Sequence, residues 1–291
     1  MTAATPASSA TPATPATPAA PAAPVTSAGA AGPGPAARPA AGRVTASAWR
    51  AVLRAEARLF GREPLALFWI VLFPALLVTV LGLIPAFRQP QAELGGRRVI
   101  DLYVPVAVLL ALILSGLQAM PPVLAGYRER GILRRMSTTP VRPGALLAAQ
   151  ILLHGAAALG SAALSLTVGR LAFGVALPRQ APGYLLALLL ATLAALGAGA
   201  GVAALARNTK AASAAAGAVT FPMMFGAGVW IPVQAMPALL RGIVSWTPFG
   251  AGARALGQAA AGDWPSWSHL GVMALWAVVL TGTAARWFRW A

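Results

Sequence analysis

Six long apolar runs free of Asp, Glu, Lys and Arg decide what this chain can fold into: residues 65–87, 102–127, 145–168, 184–206, 211–231 and 269–285. An α-helix rises 1.5 Å per residue, so about 20 residues cross roughly 30 Å of hydrocarbon. Peptide groups in lipid find no water, so a run at that depth pairs its own backbone and is helical. The remaining charge is too sparse for a soluble surface: 10% of the 291 residues are charged and 58% are hydrophobic, where soluble domains carry about 25% charged residues. The expected fold is therefore an all-α integral membrane protein with six transmembrane helices.

The net charge of +16 comes from 22 Lys+Arg against 6 Asp+Glu. Those cations lie between the apolar runs, where topology signals belong, and not on a basic soluble face that would read nucleic acid. With the N-terminus placed in the cytoplasm, 15 Lys and Arg fall inside and 7 outside. That asymmetry predicts a multi-pass plasma-membrane protein with both termini cytoplasmic. Lys210 is the single lysine, and the excess of Arg, Ala, Gly and Pro is of the kind that GC-rich bacterial genomes produce. The chain has no cysteine and only two histidines, His154 and His269. Disulfides and thiolate sites are thereby excluded, and a His-based metal site or a resident metal cofactor is not expected. His154 reads as a helix-packing histidine.

Residues 1–42 form a tail of Ala, Pro, Thr and Gly with no apolar signal core, which is expected to be disordered and extended. Residues 45–63 read as an amphipathic interfacial helix. Arg50, Arg54, Arg58 and Arg62 make one stripe, and Trp49, Val52, Leu53, Leu59 and Phe60 lie opposite. Glu56 falls toward the apolar side, and Val52, Leu53, Leu59 and Phe60 occupy its three- and four-residue neighbours. With no arginine in place on its own helix, Glu56 needs the headgroup layer or a partner on another segment. Residues 64–291 then form the six-helix membrane domain.

The loop after the second run carries the most information. Arg128, Glu129, Arg130, Gly131, Ile132, Leu133, Arg134, Arg135 and Met136 alternate charge with apolar side chains before Thr138-Thr139-Pro140. A short helix lying on the membrane surface, with Gly131 as its soft point, accounts for this pattern. Positive-inside anchoring alone would need the arginines but not Glu129 or the Ile/Leu/Met face. Between the fifth and sixth runs, 233–244 and 249–261 are apolar but too short to cross, and they read as a re-entrant or interfacial pair split by Ser245-Trp246-Thr247-Pro248. Polar or adaptable positions inside the runs, namely Ser115, Gln118, Phe221, Met223, Met224 and Phe225, are candidates for the wall of a substrate path.

The stretch 127–155, YRERGILRRMSTTPVRPGALLAAQILLHG, resembles the cytoplasmic loop of type-2 ABC transporter permeases, notably the daunorubicin/doxorubicin-resistance family. The matching features are Glu129, Gly131, Ile132-Leu133, Met136, Thr138-Thr139-Pro140 and the opening Leu146-Leu147-Ala148-Ala149-Gln150. The segment 246–256, WTPFGAGARAL, is similar to that family's outer Pro-containing element ending in an arginine, here Arg254. The resemblance covers about residues 45–290. It implies a coupling helix at 127–144 that touches an ATPase, and re-entrant helices on the outer side. It also implies an exporter of drugs, antibiotics or lipid-like compounds. The chain has no phosphate-binding loop, since Lys210 follows Arg-Asn-Thr. ATP and magnesium would therefore belong to a partner ABC ATPase dimer, and a second permease copy is expected to complete the path. No catalytic motif frames Glu56, Glu63, Glu93, Glu129, Asp101 or Asp263, which disfavours a membrane-embedded enzyme. Uncharged spans disfavour an ion-coupled carrier.

Overall fold

The computed structural model describes residues 46–132, 135 and 143–287. The expected tail at 1–42, Leu133, Arg134, Met136 and the 138–140 turn lie outside them. In chain order the elements are α1 (Ala46–Phe60), α2 (Pro64–Leu83), a hairpin of β1 (Pro90–Gln91) and β2 (Arg97–Arg98), and α3 (Val99–Glu129). They continue with α4 (Pro143–Phe173), α5 (Ala181–Leu205), α6 (Thr209–Ala227), α7 (Ala238–Val244), α8 (Pro248–Ala261) and α9 (Trp267–Trp287).

Five helices are long and apolar enough to cross a membrane: α2, α3, α4, α5 and α9. The run expected to span at 211–231 corresponds to α6, which has 19 residues and is not among the five. Its composition explains the shortfall: Thr209, Lys210 and Ser213 sit in the first turns, alanine fills its first half, and Gly228 in a left-handed conformation (φ +86°) ends it early. α3 is the axis of the bundle, with 89% of its most apolar stretch buried against 28% for α2 and α9 and 33% for α4.

Both α2 and α3 contain a widened turn, and proline chemistry accounts for each. At Phe68–Leu72 the Phe73 N–H bonds back five residues to the Phe68 carbonyl, and at Leu114–Ala119 the Met120 N–H reaches Ser115 in the same way. Pro74 follows the first turn, and Pro121 and Pro122 follow the second. A proline has no N–H for the carbonyl four residues back and its ring crowds it, so the preceding turn opens to a π geometry.

Small residues let the helices approach at the α3 turn. A Cβ on Gly116 would sit 2.7 Å from the Ala195 carbonyl carbon, and a Cβ on Gly199 would overlap the Gly116 carbonyl. Lipid tails supply no hydrophobic drive between helices, so such close backbone packing carries much of their association. Leu109, Leu112, Ile113 and Leu117 of α3 meet Phe249 and Leu256 of α8 and Met273 of α9 in the largest apolar cluster.

α7 and α8 have 7 and 14 residues and cannot cross. Thr247 starts α8, its Oγ1 accepting from the Gly250 N–H at 3.1 Å, with Pro248 in the first turn. α8 packs on α3, α5, α6 and α9, so it lies within the bundle and not on its rim.

Candidate functional site

The helices run alternately up and down, so α1, the starts of α2, α4 and α6, and the ends of α3 and α5 share one end of the bundle. A buried polar junction forms there. Glu56 on α1 is 7% exposed. Its Oε2 accepts from Tyr127 Oη at 2.6 Å and from Gln150 Nε2 at 2.5 Å. The missing partner of Glu56 thus comes from two other helices, α3 and α4. Tyr127 and Gln150 also approach each other at 3.3 Å. The two donors are members of the 127–155 stretch, and burial without them would strand the carboxylate. One turn further along α1, Phe60 meets the buried His154 ring edge-on, with centroids 5.1 Å apart.

The end of α3 grips the turn between α5 and α6. An Arg128 Nη2 donates to the carbonyl of Ala206, the residue that caps α5. The Glu129 carboxylate accepts from the Thr209 backbone N–H at 3.0 Å and from Thr209 Oγ1 at 2.6 Å, at the first residue of α6. A cation thus closes a helix C-terminus and an anion opens a helix N-terminus, each on the side its dipole favours. Asn208 completes the turn, its Oδ1 accepting from the Ala211 N–H at 2.8 Å. Arg130 lies over the Tyr127 ring at 5.6 Å.

This placement corrects the expected layout of the loop. Arg128 and Glu129 are the last turn of the spanning helix α3, not part of a separate surface helix. The break falls at Gly131, whose φ of +66° is left-handed and suits a residue without a Cβ. A further turn then begins, with Arg135 N–H donating to the Gly131 carbonyl at 3.0 Å. Glu129 is exposed, but Thr209 engages its carboxylate, so it is not a free charge surrounded by arginines. Ile132 packs against a cluster of Tyr127 and Leu146 that Val52 and Val123 also pack against, which ties the start of the loop to α1, α3 and α4.

The residues expected to line a path divide into two groups. Gln118, Phe221 and Met224 line an open groove of about 710 Å3 between α2, α3 and α6, with Trp69, Leu114 and Thr220. Thr220 Oγ1 donates to Gln118 Oε1 at 3.2 Å. Ser115 does not join it. Its Oγ donates to the His154 carbonyl at 2.7 Å, which makes it a link between α3 and α4. Met223 and Phe225 pack against the central apolar cluster.

Residues 47–259 match the ABC-2 type transporter family. The chain belongs to that family. No individually curated protein gives a significant match to it. As an ABC-2 membrane component the protein is a multi-pass permease subunit of an ABC transporter, and the family implies an ABC ATPase partner in general. The polar junction joins Tyr127 and Gln150, both within the 127–155 stretch, to the amphipathic α1.

At the opposite end of the permease, sequence reasoning missed a second device. Arg98 caps α3 by pairing with Asp101 at 2.6 Å. Its Nη1 and Nη2 also donate to the carbonyls of Phe173 and Gly174, at 3.1 and 3.3 Å, where α4 ends. The Arg98–Asp101 spacing of three residues was a visible signal for the cap, but nothing local pointed to α4.

Proposed function

We propose that the protein is the membrane half of an ATP-driven exporter of a hydrophobic or amphiphilic compound, of the daunorubicin/doxorubicin-resistance kind. In this reading α6 is a sixth span, both termini are cytoplasmic, and α7–α8 is a re-entrant pair on the outer side. The loop 127–144 docks on an ATPase dimer that carries ATP and magnesium, and a second permease copy faces the groove along α2, α3 and α6. The observation that carries the reading is the junction itself. The helix leading into the loop is joined by hydrogen bonds to α1, α4 and the α5–α6 turn at once, so a load on the loop reaches several helices together. The groove supports the substrate class: its walls are largely apolar, with Gln118 and Thr220 as one polar point and Glu63 at the start of α2 as another.

The test is reconstitution of the full chain with a co-purifying ATPase in proteoliposomes. Drug-stimulated hydrolysis and vesicle uptake of an amphiphilic dye are expected with the pair, and neither with the permease alone. Failure of any ABC ATPase to stay bound through purification, or dye movement without ATP, would overturn the reading. Single cysteines at Arg179 and Arg207 address orientation. They flank α5, and Arg207 is expected to label only from the cytoplasm.

A further inference from the structure

Three arginines converge at the Arg98 end of the bundle, and among the described residues no acid is ion-paired to them. Arg97 on β2, Arg241 on α7 and Arg254 on α8 line one cavity of about 190 Å3, together with Gln234, Gln258 and Asp263. Among the described residues no ion pair joins Asp263 to any of the three, and Asp101 nearby is already held by Arg98. Arg241 makes a single side-chain hydrogen bond, from Nη1 to the Gln234 carbonyl at 3.3 Å. The guanidinium groups of Arg97 and Arg254 make no hydrogen bond among the described residues, so most donors around the cavity are unused. Gln258 is fixed in the wall by Ser266, donating to its Oγ at 2.8 Å and accepting from its N–H at 2.9 Å. A second cavity of about 100 Å3 shares Arg97, Val233, Gln234 and Gly257 with the first and continues past Asp101, which Arg98 neutralises, along Leu102, Pro105, Val106 and Ala253.

Three like charges around one small space repel each other, and an anion between them removes that repulsion. Guanidinium forks match the oxygens of a phosphate two at a time. The apolar part of the neighbouring cavity, from Leu102 to Ala253, suits the first carbons attached to such a group. We propose that this cavity binds a phosphate-class anion, either a phospholipid headgroup or a phosphate-bearing solute, held by Arg97, Arg241 and Arg254. Asp263 is the one negative wall and sets the net charge of the lining at +2.

The site can be tested on the full chain in a neutral detergent at fixed salt. Native mass spectrometry would follow retention of phosphatidylglycerol against phosphatidylcholine, and calorimetry would follow inorganic phosphate. At least about tenfold preference for phosphatidylglycerol is expected, with Arg97→Gln and Arg254→Gln each weakening binding by about tenfold or more. Asp263→Asn should tighten it, a gain that misfolding cannot produce, and Arg170→Gln, at the same end but outside the cavity, should leave it unchanged. Phosphatidylglycerol binding without inorganic phosphate binding assigns the site to a lipid headgroup. Binding of inorganic phosphate with equal retention of the two lipids assigns it to a solute. Equal lipid retention with no phosphate binding would overturn the proposal. So would unchanged binding in both arginine variants, or an equal loss in Arg170→Gln.

Discussion

Replacing Tyr127 with Phe, Glu56 with Gln, and both together measures the bond that joins α1 to α3. The hydroxyl-to-carboxylate distance is 2.6 Å, and the acceptor is buried. Two magnitudes compete for what the cycle should return. Interhelical hydrogen bonds between neutral groups in membrane proteins average about 0.6 kcal/mol by double-mutant cycles. Hydrogen bonds to a charged partner contribute roughly 1.5–3 kcal/mol. Among the described residues Glu56 forms no ion pair and its carboxylate accepts only from Tyr127 and Gln150, so the second figure should hold. The expected coupling is therefore roughly 1.5–3 kcal/mol, about 10- to 150-fold in the unfolding equilibrium. Titration of the full chain with SDS in mixed micelles, followed by helicity, gives the four free energies. The Tyr127→Phe chain should also lose protection from trypsin at Arg58 and Arg62, because α1 loses one of the two hydrogen bonds that hold Glu56. A coupling at or below about 0.6 kcal/mol would refute the reasoning, since the carboxylate would then hold α1 no better than a neutral group.

Three further outcomes are expected. Glu129→Gln and Thr209→Val should each loosen the α5–α6 turn, seen as faster hydrogen exchange at Thr209 and Ala211, and the double variant should be no worse than either single one; additive effects would mean that the two residues act apart. Gly199→Val should cost roughly 1–3 kcal/mol or abolish folding, because any Cβ there meets the Gly116 backbone, whereas Gly201→Ala, where a Cβ meets nothing within 4 Å, should be neutral in the same SDS titration. Cysteines at Arg207 and Ile231, flanking α6 in this cysteine-free chain, should label from opposite sides of the membrane, and labelling of both from one side would remove α6 from the spans.

Apolar run length made the strong spans legible, because lipid imposes one solution on 20 uncharged residues. It misjudged ends by a few residues: α4 runs to Phe173 and α9 from Trp267 to Trp287, since Arg170 and Arg286 sit in last turns that their long side chains allow to remain helical. The need of Glu56 for a distant partner was legible from its own neighbours, but the identity of that partner was not, because Tyr127 and Gln150 lie 71 and 94 residues away. The partners of Arg128 and Glu129 were hidden for a related reason. Next to other arginines these two residues look like surface charge, and only the folded turn at 206–209 shows that each has a helix end to close. The same applies to Arg97, Arg241 and Arg254, which come from three separate loops or short helices and form a cavity only in three dimensions.

The clamps at the two ends of α3 bear on how this permease can move. Arg98 fastens the start of α3 to the end of α4, and Arg128 and Glu129 fasten its end to the α5–α6 turn. A helix held at both ends deforms where its own bonding is weakest, and in α3 that is the widened turn at Leu114–Ala119, next to the prolines. One face of the same turn carries Gly116, in backbone contact with α5, and another carries Leu114 and Gln118, in the wall of the groove. A displacement applied at Glu129 therefore concentrates at the point where α3 meets both the packed core and the cavity, and substitutions at Gly116 and Gln118 would act on the same motion from opposite sides.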